Sequence, residues 1–296
     1  FPRLLMTDLI SVQPMVQPTG KVFYRDVKYA SGYQSIAVGE RLDDKASWNV
    51  RDMQNYAGTQ FNSTNSATPE VVTARGIYLD ISSLSVDAES RKLSYAWSTE
   101  SQQDFRAYHQ LDAEATLDQD AADEIVRETD RVMIDFIFTT ALSQGAGVVN
   151  WNRTPTSTLP TEVRAHNETL IDACEDASVF IQNRRYRKAQ WLLMSATTAS
   201  RFRKMNGYRT LSSMEDSMGA VGSGERSIYG AIAERFVIYA DPWFQDNVIV
   251  VGYKGTGMVD AGIAYCPYVP YYRTDKFEDP TTFKNTKGIM SRFGKV

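Results

Sequence analysis

Between Leu111 and Leu142 the dry positions return at three- and four-residue steps: Ala115, Ala122, Ile125, Val126, Val132, Met133, Phe136, Ile137 and Thr140. Glu114, Asp118, Asp120, Asp123, Glu124, Arg127, Glu128, Asp130 and Arg131 fill the places between them. One dry stripe beside one wet face predicts an amphipathic helix. No Pro or Gly interrupts the chain between Asp112 and Gly145, so the helix runs about 32 residues, or about 48 Å at 1.5 Å per residue. The stripe lacks the sustained heptads of a coiled coil. The pattern therefore predicts a spine laid under a flat, extended molecule.

Ahead of the spine the pattern is of another kind. Residues 1–20 carry Leu4, Leu5, Met6, Leu9, Ile10, Val12, Met15 and Val16, broken by Pro2, Pro14 and Pro18. Proline removes a ladder donor and biases the preceding residue to extended backbone, so this reads as an arm lying across another surface of its own subunit or a neighbour's. From Lys21 to Ala30, Val22, Tyr24, Asp26 and Lys28 alternate with Phe23, Arg25, Val27 and Tyr29, a strand pattern. Ser31 to Pro69 is rich in Gly, Ser, Asn, Thr and Gln, with isolated aromatics at Tyr33, Trp48, Tyr56 and Phe61. A weakly patterned excursion of this length marks a segment that binds something or is disordered. Alternation resumes between Val71 and Trp97, so two strand-rich arms flank the excursion and predict a projecting finger. An isolated hairpin is marginal in water and calls for a partner surface.

The period switches at Ser98, where Thr99 with Gln102 reads as a capping box opening a short helix through His109. Gly145-Ala146-Gly147 closes the spine, and a polar linker runs to Pro160. A second domain follows. Its predicted elements are a helix over 161–185, a buried strand over 190–194, a helix over 195–204, and strands at 236–239 and 248–251 around Asp241-Pro242. The aromatic tail from Gly262 to Tyr272 and the segment 288–296 are strand candidates placed to pack on the spine.

Composition narrows the function classes. The 296 residues are 43% hydrophobic and 23% charged, globular values that exclude disorder. No apolar run approaches the roughly 18 to 20 residues that cross a bilayer, and no membrane partner is expected. Phe1-Pro2-Arg3-Leu4-Leu5 has neither an initiator Met nor a signal-peptide stretch, which reads as a processed or partial chain. Cys174 and Cys266 belong to no paired spacing, so neither a disulfide framework nor a zinc ribbon is implied. The sequons at Asn62, Asn152 and Asn167 carry meaning only in a secreted protein and are discounted. A net charge of −4 provides no strong drive toward phosphate backbones.

Several collinear stretches resemble the major capsid proteins of tailed bacteriophages, in the T-even (myovirus) branch of the Hong Kong 97 type fold. They begin with Val12-Gln13-Pro14-Met15 and Pro18-Thr19-Gly20 leading into Val22-Phe23. Leu93-Ser94-Tyr95, then Gln103 to His109 and Leu111-Asp112-Ala113-Glu114-Ala115, resemble the family's approach to its spine. Val251-Gly252-Tyr253-Lys254-Gly255, Asp260 to Pro270, Asp279-Pro280-Thr281-Thr282-Phe283 and Arg292-Phe293-Gly294 resemble its carboxyl-terminal third. The match is strongest at the two ends and weakest from Trp151 to Arg235, and order and spacing carry it rather than any single motif.

The resemblance implies an α+β chain of defined parts: an N-arm over 1–20, an extended β-hairpin E-loop with its flanking strands over 21–97, a P-domain with the spine helix over 98–145, an α/β A-domain over 146–261, and P-domain return strands over 262–296. It implies a structural protein that assembles with itself into hexamers and pentamers of an icosahedral shell around double-stranded DNA. Binding without sequence specificity, association with vertex, portal and decoration proteins, assembly in the host bacterial cytoplasm and residence in the virion are implied with it. Leu4, Leu5, Trp48, Tyr56 and Phe61 are the candidate self-assembly contacts. An encapsulin-like compartment shell, or an enzyme or carbohydrate-binding module with a site in 151–235, are the competing readings.

No catalytic, cofactor or metal site is expected. The spine's acidic cluster of Glu114, Asp118, Asp120, Asp123, Glu124 and Glu128 reads as a solvated face, since metal-binding carboxylates need convergent ligands and the chain has two His. His109 and His166 have no nucleophile elbow or carboxylate motif beside them. Gly222-Ser223-Gly224-Glu225 and Gly252 to Gly257 have neither Walker nor dinucleotide spacing. Arg184-Arg185-Tyr186-Arg187-Lys188, with Arg201, Arg203 and Lys204, suits a helix C-terminus or an intersubunit role better than nucleic acid.

Overall fold

The architecture is seen in a computed structural model of the chain. It describes residues 4–32, 36–42, 76–143, 145–152, 154, 163–210, 228–233, 235–255 and 262–296. The arm contains a single helical turn, α1 (Met6–Leu9), and a two-residue strand, β1 (Ser11–Val12). The finger is an antiparallel ribbon of β2 (Thr19–Tyr29) and β3 (Ile77–Asp87), paired without a register break from Thr19 opposite Asp87 to Tyr29 opposite Ile77.

The return path is not one strand. It divides at Ala88, whose N–H is taken by the Pro18 carbonyl, and β4 (Glu89–Ser98) leaves the ribbon to pair with β12 (Lys284–Lys295). Leu93, Tyr95 and Trp97 therefore belong to the body of the molecule rather than to the finger. Ser98, not Thr99, caps α2 (Thr99–His109): its hydroxyl accepts the Ser101 N–H at 3.1 Å. The Gln102 side chain is drawn off to the Trp97 indole N–H, and the Thr99 hydroxyl donates to the Phe283 carbonyl.

Gln110, in left-handed backbone, turns the chain into the spine. The spine, α3 (Ala113–Ser143), has 31 residues and so is about 46 Å long. Its buried stripe is Ala113, Ala121, Ile125, Thr129, Met133, Ile134 and Ile137. In the first half this departs from the sequence reading, because Ala115 faces water and Ala121 takes the place of Ala122.

Two sheets pack against the two halves of the spine. The first orders β1, β10 (Ala264–Arg273), β12 and β11 (Phe277–Asp279), with β4 on the other edge of β12. Ile289 of this sheet meets Ala121 and Ile125 of the spine. The second lobe holds α4 (Val163–Arg185), β5 (Trp191–Ser195), α5 (Ala196–Phe202), β6 (Arg209–Thr210), β7 (Ile228–Ile232), β8 (Phe236–Asp241) and β9 (Ile249–Gly252).

The strand order in that lobe is β6-β7-β8-β5-β9. The strands on either side of Asp241-Pro242 are therefore not neighbours, since β5 lies between them, parallel to β8 and antiparallel to β9. Alternation gives the sheet two dry faces. Leu192, Met194, Phe236, Ile238 and Ala240 share a core with Leu170, Ala199 and Phe202 of the lobe's own helices. Trp191, Leu193, Tyr239 and Val250 point the other way, toward the spine and arm. Gly252 is required opposite Trp191, because a Cβ there would sit 2.1 Å from the indole.

Candidate functional site

Three arrangements carry the functional argument: a seam between the lobes, a polar knot under the spine, and the face of the finger.

The seam gathers Leu4, Leu5, Met6, Leu9 and Ile10 of the arm, Met133, Ile134 and Ile137 of the spine, Trp191, Leu193, Tyr239 and Val250 of the second sheet, and Tyr265 and Phe293 of the first. Leu4 and Met6 have no solvent exposure. The short turn is anchored by polar groups at both ends. Asp130 accepts the Leu5 N–H through Oδ2 at 3.1 Å and the Met6 N–H through Oδ1 at 3.2 Å. The Thr7 carbonyl accepts from the Lys254 ammonium, which follows β9.

The knot fixes the other half of the spine. Asp118 accepts from Arg273 Nη1 at 2.6 Å and from the Tyr95 hydroxyl, and Lys287 binds Glu114. The Lys287 side chain is only 8% exposed. Burial first, and then the Asp118 carboxylate, raises the Tyr95 phenol above its ordinary range.

The finger is amphipathic across its two faces, because directly opposite residues share a face. One face carries Phe23, Val27, Ile77, Leu79 and Ile81. The other is polar for most of its length, with Lys28 paired to Asp80 and Arg41 to Asp26. On the apolar face Phe23 is 60% and Ile81 64% exposed, so these side chains stand largely in solvent.

The predicted contact residues are distributed differently from expectation. Leu4 and Leu5 are buried within their own subunit, where they fill the space between spine and second sheet, and so display no surface to a neighbour. Trp48, Tyr56 and Phe61 lie outside the described residues. The exposed apolar face between Phe23 and Ile81 was in the alternation of the sequence, but its outward aspect was not. Asp130 was read as one of the spine's solvated charges. Its signal was its place one helical turn before Met133 and Ile134 of the buried stripe.

The other sequence features are occupied by the fold. Glu114 and Asp118 belong to the knot, Glu128 accepts from Arg91 at 2.7 Å, and Glu124 pairs with Arg127 and Arg131. His109 lies against Phe105 on the surface. Buried His166 stacks on Trp151 and binds the Asn152 carbonyl through Nε2 at 2.8 Å, pinning those residues to α4. Arg203 lies over the Tyr229 ring, and Arg201 reaches Asn247. Burial pushes the Cys174 thiol up to about 12.

A long spine crossed by two sheets, with an outward ribbon, is an architecture this chain shares with solved capsid structures. The capsid of an empty GTA particle superposes over 99% of this chain and 85% of its own, with a TM-score of 0.53 at 13% identity. The fold is thus the Hong Kong 97 type. At the level of sequence, the model of the family Major capsid protein Gp23 matches residues 1–296, and the chain belongs to that family. It is 26% identical over 224 residues to the major capsid protein of Enterobacteria phage T4, a match covering 71% of this chain and 42% of that protein. It is 25% identical over 331 residues to the major capsid protein of Serratia phage KSP90, covering 99% of this chain and 73% of that protein. The chain thus spans less than half the length of the T4 relative. Neither the encapsulin-like compartment nor an enzyme or carbohydrate-binding module is favoured by these matches.

Proposed function

We propose that this chain is the shell-forming subunit of a tailed-phage head. Copies associate through one another into hexamers and pentamers, and these close an icosahedral shell around double-stranded DNA. The subunit assembles in the cytoplasm of the host bacterium and ends in the virion, with vertex, portal and decoration proteins as further partners. Residues 1–20 act as the N-arm, the β2–β3 ribbon as the E-loop, the spine with the first sheet as the P-domain, and the second lobe as the A-domain.

The observation that carries this reading is the finger. A two-stranded ribbon is marginal in water on its own, and this one exposes Phe23, Ile77, Leu79 and Ile81 along one face. A contiguous exposed apolar face of this kind marks an interaction surface. A neighbouring copy that covers it supplies the burial the ribbon lacks. The net charge of −4 suits a wall that encloses DNA without gripping its phosphates.

The test is a charge on that face. Ile81→Asp, alone and with Phe23→Asp, should leave a folded subunit with wild-type circular dichroism, and closed particles should be absent by electron microscopy. Normal closed shells from the double variant would remove the finger from the assembly mechanism.

A further inference from the structure

We propose that Leu4–Ile10 is a removable wedge that sets the angle between the spine and the second lobe, with Asp130 and Lys254 as its two latches. Spine and second lobe touch directly at one flank of the seam, where Phe138 meets Phe244 edge-on at 6.0 Å and Arg131 lies over the Trp243 ring at 4.8 Å. The seam's centre is filled by arm side chains, with Leu4, Met6 and Leu9 essentially unexposed between Met133, Ile134 and Ile137 on one side and Trp191, Leu193 and Tyr239 on the other.

The wedge is also poorly self-supporting. α1 is four residues long, and a single turn pays the nucleation cost without the propagation that would repay it. It is held from outside, one latch on each lobe: the Asp130 carboxylate of the spine takes the first N–H groups, and the Lys254 ammonium beyond β9 takes the Thr7 carbonyl. After it the chain runs along β10, with Ser11 opposite Ala264 and Val12 opposite Tyr265, and the Gln13 and Met15 N–H groups donate to the Tyr265 and Pro267 carbonyls.

If the wedge leaves, the apolar walls it separated face water and are driven together. The sheet has room to follow. Along its β9 edge an open groove of about 490 Å³ remains, bounded by Phe138 and Leu142 of the spine, Cys174 and Phe180 of α4, and Val250 of β9. A packed seam on one flank and a void on the other make the lobe–spine angle a two-position element rather than a continuously deformable one. On the shell reading, and only for its use, the docked and undocked arms give one sequence two curvatures.

The experiment uses unassembled full-length subunits, so shell closure does not enter the result. Nitroxide labels are placed at Gln119→Cys on the spine and Thr197→Cys on α5, both at exposed positions. Their distance distribution is measured by pulsed electron spin resonance, and exchange of the Leu5 and Met6 amides by mass spectrometry. In Asp130→Ala the two amides should exchange about tenfold faster or more, and the label distance should shift or broaden. Asp130→Asn, which keeps one acceptor oxygen, should fall between. An unchanged distance with the arm released overturns the wedge, and unchanged amide protection overturns the latch. Should Asp130→Ala not fold, Lys254→Met removes the other latch and must move both readouts in the same direction.

Discussion

The arm and the finger have the same texture in the sequence, apolar side chains on a segment with no core of its own, and the fold spends them in opposite directions. Leu4, Met6 and Leu9 are sealed inside one subunit, while Phe23, Leu79 and Ile81 remain in solvent. The difference lies in what receives them. The arm meets a slot with polar anchors at its two ends, and the finger's backbone is satisfied by its own partner strand, leaving a side-chain face open to solvent. Apolar content alone therefore does not distinguish a core segment from an interface segment.

Truncation should separate the two most sharply. Leu9→Ala removes a side chain that is 1% exposed and should cost about 2–5 kcal/mol of subunit stability, the range for buried Leu truncations. Ile81→Ala, at an exposed position, should stay within about 0.5 kcal/mol yet slow or weaken assembly. Urea unfolding of unassembled subunits, followed by light scattering under assembly conditions, reads both. Equal losses of stability would erase the distinction between arm and finger.

A second contrast concerns charges. The Lys287–Glu114 pair lies under the spine, and Lys287 also approaches Asp118 at 3.7 Å. Lys287→Met leaves Glu114 without its cation, although Arg273 still serves Asp118. Since Glu114 is 28% exposed, water recovers part of the loss, and a cost of about 1–3 kcal/mol is expected. On the finger, Asp80 raises the Lys28 ammonium above its ordinary value, but the pair is open to solvent. Lys28→Met should move the urea midpoint much less than Lys287→Met. A larger shift from Lys28 would mean that the ribbon, not the knot, limits subunit stability.

Much of this fold was legible in the chain, and the failures have physical causes. The spine announced itself because 3.6-residue periodicity over eight turns is local. The two sheets were visible as strands but not as partners: pairing β4 with β12 joins residues 186 to 204 positions apart, from Ser98 opposite Lys284 to Glu89 opposite Phe293, and no local signal encodes that. The cap slipped by one residue because Ser98 and Thr99 are both competent, and the choice was made by Phe283, which takes the Thr99 hydroxyl. The family was carried by the order of weak motifs at the two ends. Of the contact residues, Leu4 and Leu5 lie buried in their own subunit, and an inward arm and an outward arm read alike in the sequence. The Asp130 carboxylate that decides between them is 125 positions from Leu5.

The smallest expected effect lies at the tip where β11 turns into β12, a region that is exposed like the finger yet closed by its own hydrogen bonds. Asp279 accepts from the Thr281 and Thr282 hydroxyls and from the Thr281 N–H at 2.9 Å. The Thr281 hydroxyl first, then that of Thr282, lowers its carboxyl from 3.8 to about 2. Because the folded value lies below the unfolded one, the contribution is complete above about pH 4 and disappears as the pH falls through about 2. An Asp279→Asn variant should therefore loosen the tip at pH 6, seen as faster exchange of the Phe283 N–H that closes on the Asp279 carbonyl, and should match the wild type once both are uncharged. An NMR titration should put the Asp279 midpoint well below the ordinary aspartate value of 3.8. A midpoint at the ordinary value would mean that the tip, like the finger's apolar face, takes its order from a neighbouring copy rather than from its own hydrogen bonds.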